Sequence, residues 1–276
     1  MSTNTQSYFS NAYPGEAPHF DGNIFRADAI ASPKYPLGFK VSRADGSIHR
    51  YSMFGATCNR GVLVSPDISE LNIPDTDNCI VAPASANDTT DGTIYSRFIQ
   101  ITKSGVVENQ FAGGYLVVTD GTGIGYTYRI KGNTATGTNV GSDTDAFRME
   151  LYEPLQAAVT TDTDFAVIGC QYYDLEIATT TDATISGVSK VTVAVATPYT
   201  FIQTRGVCGI LLDASTTAAV DGAMMALSAL TSGAVRPFVG GSIGTVVAAE
   251  ARYMIVGYSL DAGDAAGQAS VFLTLE

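Results

Sequence analysis

From residue 37 onward, apolar and polar positions alternate in short runs broken by Gly, Asn, Asp and Pro. The stretch LGFKVSRADGSIHRYSMF sets Asp45-Gly46 between two segments rich in strand formers, which predicts a hairpin. GVLVSP (61–66) and NCIVAP (78–83) are short β-runs ended by proline. Phe98, Ile99 and Ile101 precede a Ser104-Gly105 turn, and Gly113-Gly114 precedes Tyr115, Leu116, Val117 and Val118. Tyr126, Tyr128 and Ile130 share one face with Thr127 and Arg129 on the other, and Phe147, Met149 and Leu151 repeat that period of two.

The second half continues the pattern. Val191, Val193 and Val195 alternate, Thr197-Pro198 marks a turn, and Tyr199, Phe201 and Gln203 resume a strand. Gly206 and Gly209 stand where a bulge or tight bend is expected. DGAMMALSALTSGAV (221–235) has helix-forming residue types, yet its Asp221-Gly222 start and Ser232-Gly233 stop favour strand and hairpin. ARYMIVGYSLDAGDAAGQASVFLTLE reads as two strands around a Gly-containing loop. Short strands with turns every 8 to 12 residues or so predict an all-β chain of sandwich or barrel domains.

Residues 1–36 differ. Tyr8, Phe9, Tyr13, Phe20, Phe25 and Tyr35 alternate with Pro14, Pro18, Pro33 and Pro36. Prolines at that density block a helix and remove ladder donors, while the aromatics offer area to bury. An extended arm is expected, laid on its own domain, a sister subunit or another protein. The expected division is therefore an arm at 1–36, a β-rich domain at 37–186 and a small β-barrel or sandwich at 187–276.

Charged residues make up 15% of the chain, well below the roughly one quarter usual in globular proteins, so Thr, Ser, Gly and Asn must cover much of the surface. With 27 acidic against 15 basic residues the net charge is −12, which opposes nucleic-acid binding. No apolar run approaches the roughly 18 residues of a membrane span. The first residues lack the basic and apolar regions of a signal peptide, so synthesis and folding in a cytoplasm are expected.

Little in the sequence points to bond-making. Cys58, Cys79, Cys170 and Cys208 are widely spaced and read as small buried apolar residues. His19 and His49 are the only histidines; each reads as a surface or interface imidazole. Gly240-Gly241-Ser242-Ile243-Gly244 matches the letters of a nucleophile elbow, but no histidine follows it and a strand is expected next. Gly121-Thr122-Gly123-Ile124-Gly125 lacks the third glycine of a dinucleotide loop, because Tyr126 stands there, and reads as a tight turn. Asp88 with Asp91 and Gly92, or Asp143 with Asp145, offer oxygen ligands for calcium without a complete 12-residue loop, so solvated acidic turns are expected. No catalytic residue, metal ligand or cofactor follows from the sequence.

The phrases LGFKVSRADGSIHRYSMFGA, GGYLVVTDGTGIGYTYRIKGNTA, FRMELYEPL and PYTFIQTRGVCGILLD, with the closing IVGYSLDAGDAAGQASVFLTLE, resemble virion structural proteins of tailed phages, particularly those of marine bacteria. The last run is similar to small β-barrel capsid-decoration domains. It departs from them at Phe201, where many such chains carry Trp. The resemblance implies a non-enzymatic cement protein on the outer capsid surface. Its expected partners are the major capsid protein and its own copies, in a homo-oligomer that is a trimer where it occupies threefold positions. The alternative is a tail or fibre protein that binds a host receptor or glycan.

Overall fold

A computed structural model describes residues 23–27, 33–67, 72–73, 91–138, 145–160, 163–180, 184–193, 199–213, 220–238, 254–261 and 267–276. Every regular element among them is a strand. The first three are β1 (Lys40–Ser42), β2 (Ile48–Met53) and β3 (Leu63–Pro66). Then come β4 (Asn72–Ile73), β5 (Phe98–Thr102), β6 (Tyr115–Asp120), β7 (Thr127–Asn133), β8 (Ala146–Leu151) and β9 (Asp164–Ile168). The last seven are β10 (Leu175–Ile177), β11 (Gly187–Ser189), β12 (Tyr199–Leu211), β13 (Met224–Leu227), β14 (Val235–Pro237), β15 (Ile255–Ser259) and β16 (Gln268–Thr274). The chain is all-β, and its strands form two curled antiparallel sheets.

The chain forms two compact units: one joins Met1–Pro66 to Asp174–Glu276, the other is Asp67–Tyr173. The expected boundary at 186/187 is not where this division falls. Strand β3, early in the chain, pairs with β10 and β11 from its second half, and that long-range pairing encloses the second unit as an insertion.

The discontinuous unit holds a ten-stranded sheet in the order β10-β3-β11-β12-β16-β15-β13-β14, with β2 on β12 and β1 on β2. The sheet curls until its ends meet: the Gly233 N–H, just before β14, donates to the Ala178 carbonyl, just past β10 (2.8 Å), and the Leu63 N–H to the Gly233 carbonyl (2.8 Å). Leu63, Val188, Ile210, Met225, Val235, Val256 and Leu273 fill the interior. The β1–β2 hairpin forms as expected. Asp45 Oδ1 accepts from the Ser47 N–H and hydroxyl, at 2.9 and 2.7 Å, and Gly46 takes φ 81°.

β12 organises this unit. Its first six residues are buried on both faces, whereas Arg205, Val207 and Gly209 alternate with buried Gly206, Cys208 and Ile210. The change follows a bulge between Gln203 and Arg205. At Gly206 φ is +93°, and a Cβ there would lie 3.0 Å from Ser47 Cα, so only glycine fits the bend. Before the bulge β12 pairs with β2; beyond it, with β16.

The continuous unit carries a six-stranded sheet in the order β4-β9-β6-β7-β8-β5. Phe147, Met149 and Leu151 point inward as their alternation predicts, joining Ile99, Ile101, Phe111, Leu116, Ile130 and Phe165 in one core. The segment 221–235 is extended at β13 and turns at Gly233 (φ 72°), as its end signals indicate.

Candidate functional site

Asp91 is buried within the continuous unit. Its carboxylate accepts from Arg148 Nε (2.8 Å), Arg148 Nη2 (2.9 Å) and Gln100 Nε2 (3.0 Å), and the guanidinium lies 4.0 Å over the Phe98 ring. Asp91 is therefore an ion-paired core residue and not the solvated turn acid expected. Asp145 lies in the turn just before β8, while Asp88 and Asp143 fall outside the described residues, as do His19, Cys79 and Ser242. No group of three or more His, Cys, Asp or Glu among the described residues is arranged to hold a metal ion.

His49 also departs from expectation. It sits on β2 at 2% exposure, and its Nδ1 has no hydrogen-bond partner. Burial, helped by the positive charges of Lys190 and Arg43 and opposed by Asp45, pushes its pKa down to about 4. Alternation with Ile48 and Arg50 suggested a surface imidazole, but β2 is covered on both faces. Cys58, Cys170 and Cys208 are buried thiols outside any disulfide, as expected. Burial drives the Cys58 thiol up to about 11 and raises that of Cys208 beside the Lys190 ammonium, which lies 3.6 Å from its sulfur. Such thiols are poor nucleophiles.

The expected anchor aromatics divide. Tyr35 is 3% exposed, with its ring 5.1 Å from Phe39, 5.1 Å from Tyr51 and 5.8 Å from Phe201. It belongs to the unit's own interior and is not available to another surface. Ile24 is buried too, and the Thr200 hydroxyl donates to the Arg26 carbonyl at 2.9 Å, so residues 23–27 dock on β12. Phe25 between them is exposed. Tyr8, Phe9, Tyr13 and Phe20 lie outside the described residues.

A cleft of about 250 Å³ opens in the continuous unit between Asn72, Ile73, Lys103, Val106, Gln110 and Tyr173. It is smaller than the roughly 300–1,000 Å³ of typical small-molecule sites, and Lys103 and Tyr173 are its ionisable groups.

Two apolar surfaces stand out instead, neither of which the sequence reading found. The first lies on the outer face of the ten-stranded sheet. Val207 of β12 faces Phe272 of β16, Phe272 faces Tyr258 of β15, and Tyr258 faces Met224 of β13. The Phe238 N–H, just past β14, donates to the Met224 carbonyl (2.7 Å) and extends the row. The Tyr258 and Phe272 rings stack 5.2 Å apart at 14°. Val207 is 60% exposed, and Met224, Tyr258 and Phe238 are exposed as well. Arg205 and Arg236 stand two residues from Val207 and Phe238 on their own chain segments.

The second surface is one end of the six-stranded sheet. Strand register brings the loops 91–97, 121–126 and 152–160 to that end, because Phe98 faces Glu150, Ile130 faces Leu151 and Asp120 faces Asp164. Backbone bonds tie two of the loops together: Tyr95 N–H to the Leu155 carbonyl (2.8 Å) and Val159 N–H to the Gly92 carbonyl (2.9 Å). The third is the expected tight turn, with positive φ at Gly121, Gly123 and Gly125. Tyr95, Ile94, Ile124 and Tyr126 project from this end; Tyr95 is 73% exposed and held at φ +70°, costly for an aromatic residue. Asp120 and Asp164 face each other across β6 and β9 at the same end of the sheet.

No protein-family model matches the chain, and no curated protein or solved structure matches it either.

Proposed function

We propose that this chain is a non-enzymatic virion structural protein of a tailed phage, a decoration or cement protein that binds the outer capsid surface and stabilises the shell. The observation that carries the reading is the outward row Val207, Phe272, Tyr258 and Met224, set in register on a curled sheet. An ordered apolar row on a rigid sheet is suited to burying area against a partner, and solitary proteins seldom expose contiguous apolar patches beyond a few hundred Å². On a symmetric lattice modest contacts of this kind gain from multivalency. The likeness of the strand phrases to decoration domains points the same way. The partner on the particle is then the major capsid protein, and the location is the capsid surface.

The test is co-sedimentation of purified protein with undecorated capsids, followed by thermal melting of the shell. Saturable pelleting and a raised shell melting temperature are expected. A protein that stays in the supernatant at every capsid concentration would remove the reading.

A second reading is favoured by Tyr95 and Tyr126, which are exposed on neighbouring loops as stacking platforms would be. In it the chain is a tail or fibre component that engages a host receptor or glycan. Binding to host surface glycans that is lost in Tyr95→Ala would select this reading over the capsid one.

A further inference from the structure

The cleft in the continuous unit lies where the six-stranded sheet stops short of closing. The outer strands of that sheet are β4 and β5, and among the described residues no pairing joins them. Ile73 of β4 and Lys103, the residue after β5, nevertheless line the same cleft. Ile73, Val106 and Phe111 of the unit's core give it an apolar lining, to which Val107 adds a half-exposed side chain. The loop 103–111 is held in place by two side chains at the end of β7. Thr136 Oγ1 accepts from the Val106 N–H (2.9 Å) and donates to the Lys103 carbonyl (2.9 Å). Asn133 accepts from the Phe111 N–H (2.9 Å) and donates to the Val107 carbonyl (2.8 Å). On β4, Asn72 Oδ1 accepts from the Gly169 N–H (3.2 Å), which orients the amide and leaves Nδ2 as a donor at the cleft. No Asp or Glu lines it, in a chain of net charge −12.

We infer that this cleft is a docking site for an extended peptide segment of a partner protein, which seats one large apolar side chain in it. Its volume of about 250 Å³ exceeds the roughly 150 Å³ of a cavity that takes up a benzene ring, so a side chain the size of Phe or Leu fits. An extended peptide is the occupant that matches an unclosed sheet: strand edges and a fixed amide bond its main chain, while the pocket reads a side chain. The lining suits a sugar poorly. Sugars call for exposed ring faces and for carboxylates that accept from hydroxyls, whereas Phe111 is 1% exposed and acids are absent from the lining. Walls fixed in advance reduce the ordering cost of binding. The cleft shares no residue with the Val207 row or the Tyr95 loops, and the inference does not rest on the capsid reading.

The experiment titrates the isotope-labelled full chain with N-acetyl-Gly-Phe-Gly amide, with capped triglycine and with the disaccharide cellobiose, and follows the backbone amides by NMR. Saturable shifts at Ile73, Val106 and Val107 are expected for the Phe peptide, with a dissociation constant on the order of 1 mM. Triglycine should bind roughly tenfold more weakly or worse, because it lacks the side chain. Val107→Arg alters an exposed position, so circular dichroism should be unchanged while affinity for the Phe peptide falls roughly tenfold. Asn72→Asp keeps the acceptor for Gly169 and removes the Nδ2 donor, for a loss of roughly three- to tenfold. Val207→Glu, in the other unit, should bind the peptide as the unaltered protein does. Absence of saturable shifts at the cleft amides overturns the inference. Equal binding of triglycine does so too, by denying a side-chain pocket, as does tighter binding of cellobiose, which marks a sugar site. A folded Val107→Arg that binds the Phe peptide in full also overturns it.

Discussion

Arg148 holds the buried Asp91 carboxylate with two hydrogen bonds, from Nε at 2.8 Å and Nη2 at 2.9 Å, and thereby fastens the loop before β5 to β8. With only 1% of the Asp91 side chain exposed, the acid depends on its partner for charge compensation. Arg148→Ala should destabilise the protein by about 3–5 kcal/mol, because it strands a buried charge, while Asp91→Asn with Arg148→Met should cost much less. Urea unfolding of the three variants checks this; equal losses would show the pair is not the cause.

His49 gives the fold a pH dependence. Its folded pKa of about 4 lies below the ordinary 6.5, so between these values the unfolded chain takes up a proton that the folded chain refuses. The contribution is therefore full above pH 6.5, declines as pH falls, and is lost once pH drops through about 4. Over the whole window it amounts to about 3 kcal/mol. His49→Gln should flatten the stability profile between pH 7 and 5, where carboxylates contribute little. An unchanged slope would place the imidazole in solvent.

Gly206 combines φ +93° with a Cβ position 3.0 Å from Ser47 Cα. Gly206→Ala should cost about 2 kcal/mol or more through backbone strain and displacement of the β1–β2 turn. Gly46→Ala is the control: its φ is also positive, but nothing lies within 4 Å, so the smaller loss measures strain alone. Equal losses would deny the close approach at Ser47.

Tyr35 is part of the folded unit. Because its ring packs on Tyr51 and Phe201, Tyr35→Ala should lower stability by about 3 kcal/mol, and removal of residues 1–36 should do the same. A 1–36 deletion that melts like the full chain would show that Tyr35 contributes nothing to the body.

Period-two runs at Phe147-Met149-Leu151 and the Asp45-Gly46 turn were legible in the sequence because each depends on residues adjacent in the chain. The burial of His49 was not, because it depends on β2 being paired with β12, more than a hundred residues away in sequence, and covered on both faces. The unit boundaries were hidden for the same reason: β3 carries no mark that its partners lie beyond residue 173. The apolar row shows the limit most sharply. Val207, Met224, Tyr258 and Phe272 are unremarkable one at a time, and only strand register sets them side by side.

On the proposed function, this protein works by burying its outward apolar row against a partner. Pelleting of Val207→Glu with undecorated capsids, beside the unaltered protein at equal concentration, tests that claim directly. A folded Val207→Glu whose capsid affinity falls roughly tenfold or more is the expected result. A folded Val207→Glu that coats capsids as fully as the unaltered chain would contradict it.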